Sequence, residues 1–276
     1  LPEKDDEFTL TSQVQNREGW LLHPLDEKLR KTSEGQKLRS IPVRLLFNDP
    51  ALNLRADYSL FNRENGRPVC VGNGETCRRT GKEGMENLPC PGPDACAFAK
   101  GDCKAYARLN VVVGDGEDDA LGSFVLRTTS YNTIRTLTAR LHYFNAVSGG
   151  RLSSLPLELK LRGKSTTMSY RSAIYYVDLV VRTGLTLDQA VAEAVERDAV
   201  RKAGGIDQAA LDEAARQGFA NGAFEELEED VPAVVEEFYP PAEGEQASQH
   251  KTINTTDLRE KLEAKAVQLP AQRKTA

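Results

Sequence analysis

The stretch PVCVGNGETCRRTGKEGMENLPCPGPDACAFAKGDCK, residues 68–104, contains all five cysteines of this 276-residue chain. A secreted disulfide scaffold usually spreads an even number of cysteines through its fold. The N-terminal residues LPEKDDEFTL are acidic and show no apolar signal segment, so we expect a cytoplasmic protein. An odd, clustered set in such a chain favours a metal site with one spare thiol over free structural cysteines or disulfides.

Cys90, Cys96 and Cys103 are the clearest candidate ligands. Turn sequences separate them, Pro-Gly-Pro at 91–93 and Lys-Gly-Asp at 100–102, and such turns supply the chain reversals that ligands need to converge. The spacings, with five and six residues between successive cysteines, are wider than the two-residue zinc knuckle. The zinc signal is therefore less specific than that of a zinc ribbon.

The fourth ligand is Cys70 or Cys77. Cys70 is favoured because it ends a predicted strand and glycines follow it, which lets backbone N–H groups point at a thiolate. Cys77 is the alternative, since two adjacent arginines would lower the pKa of its thiol. A site of four cysteines has no open position and is structural, so we expect Zn²⁺ without catalysis. The predicted ligands are Cys70, Cys90, Cys96 and Cys103.

Short apolar and β-branched segments, several of them strictly alternating, predict strands on both sides of the cysteine stretch. An Asn-Gly pair at 65–66 predicts a hairpin over residues 61–71. The polar residues DGEDDA at 115–120 are expected to form a turn. The predicted strands cover residues 40–50, 54–61, 105–114, 121–129, 155–161 and 172–182.

Three segments carry helix signals. Residues 130–150 have an apolar stripe, Ser130 at the start as a cap, and a Gly-Gly pair at the end. A capping box of Thr186 and Gln189 opens the second helix, and Asp207 caps the third. The last two helices predict an antiparallel hairpin with alanine-rich faces.

These signals predict an α+β fold: a mostly antiparallel sheet with an inserted four-cysteine zinc subdomain and a C-terminal helical hairpin. The predicted boundaries place a polar N-terminal extension at 1–39, the core at 40–184 with the zinc insert at 66–104, and the helical hairpin at 185–225. Residues 226–276 form an acidic and then basic tail, which we expect to be largely disordered unless a partner orders it.

The charge is distributed unevenly around a net value of −5. Residues 121–184 contain nine Lys and Arg against two acids, and residues 207–245 contain twelve acids against one Arg. Such a basic body with an acidic tail is common in proteins that meet nucleic acid or a basic partner, although solvated surfaces would look the same. The candidate contact residues for DNA or a protein partner are Arg127, Arg135, Arg162, Lys164 and Arg171.

Catalytic and membrane signals are weak. The sequence contains no nucleophile elbow, HExxH or Walker A motif, and no apolar run of 18 residues. The carboxylates of GDGEDD at 114–119 could bind a divalent cation in a metal-dependent hydrolase, but such a pattern is more often a solvated turn. We therefore expect a protein that is not an enzyme, has no small-molecule substrate and does not enter a membrane.

The stretch from Cys90 through TTSYNTIRTL at 128–137 to IYYVDLVVR at 174–182 resembles a family of phage and mobile-element proteins. These are the large, zinc-containing recombination directionality factors that partner serine integrases. The resemblance covers residues 40 to about 225. Cys90, Cys96 and Cys103 match the family's cysteine cluster, whereas the match near Cys70 and Cys77 is ambiguous.

The resemblance implies a regulator of recombination that does no chemistry itself. Such a factor binds the integrase on DNA and redirects the integrase's coiled-coil arm, so that excision is allowed and integration is discouraged. The zinc-bearing part is implicated in holding the integrase. A DNA- or single-strand-binding accessory protein of a phage or mobile element is the alternative, and it predicts salt-sensitive nucleic-acid binding.

Overall fold

The computed structural model describes residues 6–16, 19–82, 84–114, 123–165, 167, 173–221, 234–235 and 238–239. The chain divides into two compact units, which include Glu7–Arg39 and Ser40–Pro240 respectively. Within the described part of the chain, no helix is long and apolar enough to cross a membrane.

The smaller unit contains elements that the sequence did not predict. Strand β1 (Thr11–Asn16) pairs antiparallel with β2 (Gly19–Leu22), and helix α1 (Pro24–Thr32) follows. Buried Asp26 accepts a hydrogen bond from Arg30 Nε at 2.6 Å within this helix. The strands are short and their apolar periodicity is weak, so pattern alone did not reveal them.

The larger unit is built on a sheet in which nine of the described strands take part. The order along the sheet is β11-β10-β3-β8-β4-β5-β6-β7, and β9 also pairs with β8. The strands are β3 (Ser40–Leu45), β4 (Leu54–Phe61), β5 (Pro68–Gly72), β6 (Thr76–Gly81), β7 (Gly84–Pro89), β8 (Lys104–Val113), β9 (Phe124–Thr128), β10 (Leu157–Lys164) and β11 (Ile174–Val181).

The predicted α+β class with a mostly antiparallel sheet is confirmed, because every described strand pair is antiparallel. The predicted hairpin is present between β4 and β5, with Gly66 at φ +57° and Asn62 N donating to Arg67 O at 2.9 Å. Strands β6 and β7 were not predicted. Their side chains are mostly polar and exposed, so they lack the apolar alternation that marks a half-buried strand.

Strand pairing gives the sheet two chemically different faces. Paired residues project to the same side, so register assigns each side chain to a face. One face carries only uncharged residues in the six strands β3, β4, β8, β9, β10 and β11. The opposite face, called the charged face below, carries Arg44, Arg55, Asp57, Lys104, Arg108, Arg127, Glu158, Lys160, Arg162, Lys164 and Asp178.

The predicted helix at 130–150 is helix α3 (Tyr131–Val147), which follows the short helix α2 (Pro50–Asn53) in chain order. Ser130 Oγ accepts a hydrogen bond from Thr133 N at 3.4 Å, which confirms the predicted cap. Leu137, Leu141 and Phe144 form its buried stripe, and the helix packs mainly against β11. It therefore provides apolar cover at the β11 edge of the sheet.

Helices α4 (Leu187–Ala203) and α5 (Gln208–Asn221) also form as predicted, and the capping box at Thr186 is present. The predicted antiparallel hairpin of these two helices stays a prediction. Ala190 and Ala194 of α4 are fully buried, but α4 packs against the 3₁₀ turn Leu152–Ser154, while Ala209 and Ala210 of α5 are exposed. Small residues permit close packing without specifying the partner. The alanine pattern alone therefore could not identify the element that packs against α4.

Helix α5 instead lies beside α2 and the turn that precedes it. Asn48 N donates to both carboxylate oxygens of Asp212, at 3.3 and 3.2 Å. The Phe219 ring lies edge-on to Phe47, with centroids 6.1 Å apart. Polar and aromatic contacts to the β3–β4 connection thus hold α5 in place.

Candidate functional site

The β5–β6 hairpin places two cysteines on one face. Cys70 pairs with Arg79 and Gly72 pairs with Cys77, so these four residues project to the same side. Cys77 is buried and Cys70 is half-buried. The two thiols that compete for the fourth predicted ligand position are therefore neighbours.

Gly72 leaves the space that brings a third cysteine to this hairpin. A Cβ on Gly72 would lie 2.6 Å from Cys77 Cβ and 3.0 Å from Cys90 Sγ. Cys90 is held there by its backbone, because its N–H donates to Glu75 O at 2.8 Å. The absence of a side chain at Gly72 thus accommodates the Cys90 sulfur against β5 and β6.

A tight turn forms at the Lys-Gly-Asp sequence that precedes the last cysteine. Lys100 and Gly101 have positive φ angles of 51° and 93°, and Asp102 N donates to Ala99 O at 2.9 Å. Burial, followed by the charges of the other thiols with Cys96 first and then Cys70, raises the pKa of the Cys103 thiol to about 11.

Arg79 supplies the positive charge of this thiol cluster, which is Cys70, Cys77, Cys90, Cys96 and Cys103. Burial tends to lower the pKa of its guanidinium, but a hydrogen bond with Cys70 and the nearby thiols raise it above the usual value. The guanidinium also lies over the Phe98 ring, 3.9 Å from the centroid. The Arg-Arg pair after Cys77 was the sequence signal, and the structure identifies Arg79 as the member on the cysteine side.

The cluster fits zinc by donor chemistry, although a zinc subdomain is not shown. All five cysteines are free thiols, and soft thiolates are the donors that zinc prefers. The described residues nevertheless contain no group of three or more His, Cys, Asp or Glu side chains already placed to hold a metal ion. The space at Gly72 and the counter-charge of Arg79 are the observations that fit a zinc-thiolate centre.

The basic candidates lie in different places. Arg127, Arg162 and Lys164 lie on the charged face, whereas Arg135 is exposed on α3. Arg171 lies outside the described residues, and so do the carboxylates at 115–119. Arg162 Nε donates to buried Asp178 at 3.1 Å. Arg140 of α3 donates to the same carboxylate at 3.0 Å. Asp178 thus links Arg162 to helix α3, so one role of Arg162 is structural.

Sequence reasoning missed two arginines beside Arg127. Arg55, Arg108 and Arg127 are direct partners across β4, β8 and β9. They form a row of three like charges, called the arginine row below. Alternation within each strand places Arg55 and Arg108 opposite the apolar residues of their own strands, but only strand pairing aligns them with each other and with Arg127.

A short C-terminal segment, called the clasp below and comprising Val234, Val235, Phe238 and Tyr239, packs beside this row. Val234 and Phe238 are fully buried, with Phe61 and Tyr106 of the sheet as neighbours. The Phe238 ring lies 4.9 Å from the Phe61 ring. The sequence indicated only an acidic tail here, because four apolar residues among acids carry no clear periodic signal.

A family model described as Gp3-like, recombination directionality factor-like, matches residues 1–182. No curated protein and no solved structure matches the chain. The matched residues include the whole cysteine stretch, the arginine row and α3.

Proposed function

Since the chain belongs to the recombination directionality factor-like family, we propose that it is a non-enzymatic regulator that binds a serine integrase and favours excision over integration. The family match carries this proposal, because it covers both the cysteine stretch and all nine described strands of the sheet. A regulator of this kind needs stable surfaces for a partner and no catalytic constellation of its own.

Cys70, Cys90, Cys96 and Cys103 would hold a structural Zn²⁺. The ion would lock the turns between these cysteines and stabilise the fold there, since zinc binding energy in such segments is folding energy. Four thiolates around Zn²⁺ carry a net charge of about −2, and Arg79 is placed to offset part of it.

The fifth thiol has a place of its own. Cys77 is buried, and its Sγ lies 3.8 Å from Pro89 O as a weak donor. The other four cysteines are only half-buried, so Cys77 is the thiol that the fold encloses. Cys77 is therefore proposed as a packing residue next to the zinc site.

The integrase surface is proposed on the outer side of the cysteine stretch. Strand β7 is the last strand in the sheet order, and Met85 and Phe98 are both 45% exposed. Large apolar side chains at a surface favour protein contacts. Zinc would fix the loop that presents Phe98, which links metal content to integrase binding.

DNA binding is a second candidate function, and the arginine row is the observation that favours it. Arginine is the preferred side chain for contacts with phosphates. Eight of the eleven charged residues named above on the charged face are Lys or Arg, so the face as a whole is basic. A protein of this family acting on DNA-bound integrase could use such a face to contact the duplex.

A pull-down from cells of the protein's own host tests the integrase proposal. Recovery of a serine recombinase that survives nuclease treatment is the expected result. Phe98→Ala should weaken that recovery, whereas Tyr143→Ala on α3 should not, although Tyr143 is similarly exposed at 48%. Recovery of proteins bridged only by nucleic acid would overturn direct integrase binding.

A further inference from the structure

The part of the chain around helix α3 exposes positive charge and buries its negative charge. Residues 121–184 contain nine Lys and Arg against two acids, Glu158 and Asp178, and both acids are buried. Glu158 accepts hydrogen bonds from the backbone N–H and the side-chain hydroxyl of Thr183, each at 2.9 Å. The acids of this region are therefore used inside the fold, and its described surface carries Lys and Arg without an exposed acid of its own.

Asp178 holds two arginines at the flank of α3. Arg140 Nε of α3 lies 3.0 Å from Asp178 Oδ1, and Arg162 Nε of β10 lies 3.1 Å from Oδ2. One carboxylate cannot neutralise two guanidinium groups, so this group keeps a net positive charge. The two arginine side chains are 43% and 44% exposed, so part of each guanidinium reaches solvent. Arginines fixed in this way are suited to phosphate oxygens.

The solvent side of α3 is a continuous stripe, called the α3 face below. Its residues are all exposed and recur at helical spacing on the side opposite buried Leu137 and Leu141. They are Tyr131, Arg135, Thr138, Ala139, His142 and Ala146. Helix α3 contains no Asp or Glu, whereas α4 contains four and α5 contains two. Among these three helices, α3 is thus the one whose charge is complementary to a polyanion.

The chemistry of the α3 face favours DNA over an acidic protein. A helix that docks on a protein offers large apolar anchors at helical spacing, whereas this stripe offers Arg135, Thr138 and His142, which form hydrogen bonds with phosphates and base edges. Seventeen residues give α3 a length of about 25 Å, and a DNA major groove about 12 Å wide admits a helix. The small side chains of Ala139 and Ala146 leave room for close approach of a duplex.

We propose that the α3 face is a docking surface for duplex DNA, on which Arg135 and His142 contact the duplex and the pair of Arg140 and Arg162 binds a phosphate at its flank. The proposal rests on the second candidate function, DNA binding, and extends the DNA surface from the charged face to helix α3. It is separate from integrase binding, which the pull-down tests through Phe98.

The test is a fluorescence titration of a labelled duplex of about 20 bp with the full-length protein at several salt concentrations. Ala139→Glu places a carboxylate in the middle of the α3 face, one turn from Arg135, and glutamate is a good helix former. Ala139→Gln is the matched control, since glutamine has the same size without the charge. Ala139→Glu should weaken binding on the order of tenfold at low salt, whereas Ala139→Gln should bind as the wild type does.

A second set of variants tests the phosphate contact itself. Arg135→Gln should reduce the slope of log affinity against log salt by about 0.9, the value for one phosphate that is no longer neutralised. Arg135→Lys retains the charge and should retain that slope, which a purely structural effect would not produce. Arg216→Gln removes an exposed arginine of α5 that already pairs with Asp49 and Glu213, so its slope should equal that of the wild type.

The proposal separates clearly from the integrase function. Ala139→Glu should still recover the integrase after nuclease treatment. Equal affinity of Ala139→Glu and Ala139→Gln for the duplex would show that DNA does not contact α3. Failure of the wild type to bind the duplex at any salt concentration would remove the DNA role, and continued recovery of an integrase would leave that function intact. Loss of a protein partner in Ala139→Glu with unchanged DNA binding would assign the α3 face to an acidic protein instead.

Discussion

Gly72 is the residue on which the geometry of the thiol cluster depends. An Ala Cβ there would lie 2.8 Å from Thr76 O as well as against Cys77 and Cys90, and a backbone oxygen cannot move aside as a flexible side chain can. Gly72→Ala should therefore lower the free energy of unfolding by about 1–3 kcal/mol. Thermal unfolding measures this decrease, and zinc content should fall with it.

Gly218→Ala is the matched control for this substitution. Gly218 lies in α5 and a Cβ there meets nothing within 4 Å. Alanine should stabilise that helix by about 0.5–1 kcal/mol, because glycine is a poor helix former. Equal stability in the two variants would contradict the steric explanation of Gly72.

Asp198 gives the protein an acid-sensitive contact. The hydrogen bond from Lys202 lowers the pKa of its carboxyl, burial opposes that effect, and the charges of Lys202 and Arg151 add to it. A lowered folded-state pKa means that this stabilisation is full above the unfolded-state value and is lost as pH falls through the folded-state value. Asp198→Asn should thus cost about 1 kcal/mol near neutral pH and progressively less below about pH 4.

The measurement is the unfolding midpoint of wild type and Asp198→Asn between neutral and acidic pH. Glu196→Gln, an exposed position on the same helix, is the control and should show little difference at any pH. If the stability difference between wild type and Asp198→Asn grew as the pH falls, the lowered folded-state pKa of Asp198 would be contradicted.

At the scale of elements, the cysteine stretch makes a graded prediction. Cys90→Ser, Cys96→Ser and Cys103→Ser should each release zinc and destabilise the segment, because metal binding and folding are coupled there. Cys70→Ser should do the same, whereas Cys77→Ser should keep its zinc. Metal analysis of the purified variants provides the readout, and unchanged metal content and stability in every variant would show that the site does not exist.

Sequence pattern predicted the elements whose side chains alternate or repeat. The strands around Leu157–Lys164 and the cap of α3 follow from local chemistry, and the structure confirms them. Strands β6 and β7 were missed because exposed polar strands have no apolar alternation. The packing of α4 against the 3₁₀ turn Leu152–Ser154 was not predicted, because alanine indicates close packing and does not specify the partner.

At the scale of the whole molecule, the sequence revealed the charge asymmetry but could not place it. The pairing of β4, β8 and β9 aligns Arg55, Arg108 and Arg127. These residues are distant in the chain, so sequence pattern alone could not show that they align. The clasp is equally nonlocal, since Phe238 meets Phe61 across most of the larger unit's sequence. The candidate cysteines, by contrast, were found from local clustering alone.

We propose that the protein sets the direction of recombination. The most direct measurement is a plasmid recombination assay with the cognate serine integrase, scoring excision and integration with and without the purified, zinc-quantified protein. We predict that the protein enables excision, suppresses integration, and loses both effects in Cys96→Ser. Unchanged excision and integration in the presence of an active integrase and a folded, zinc-loaded protein would contradict the claim.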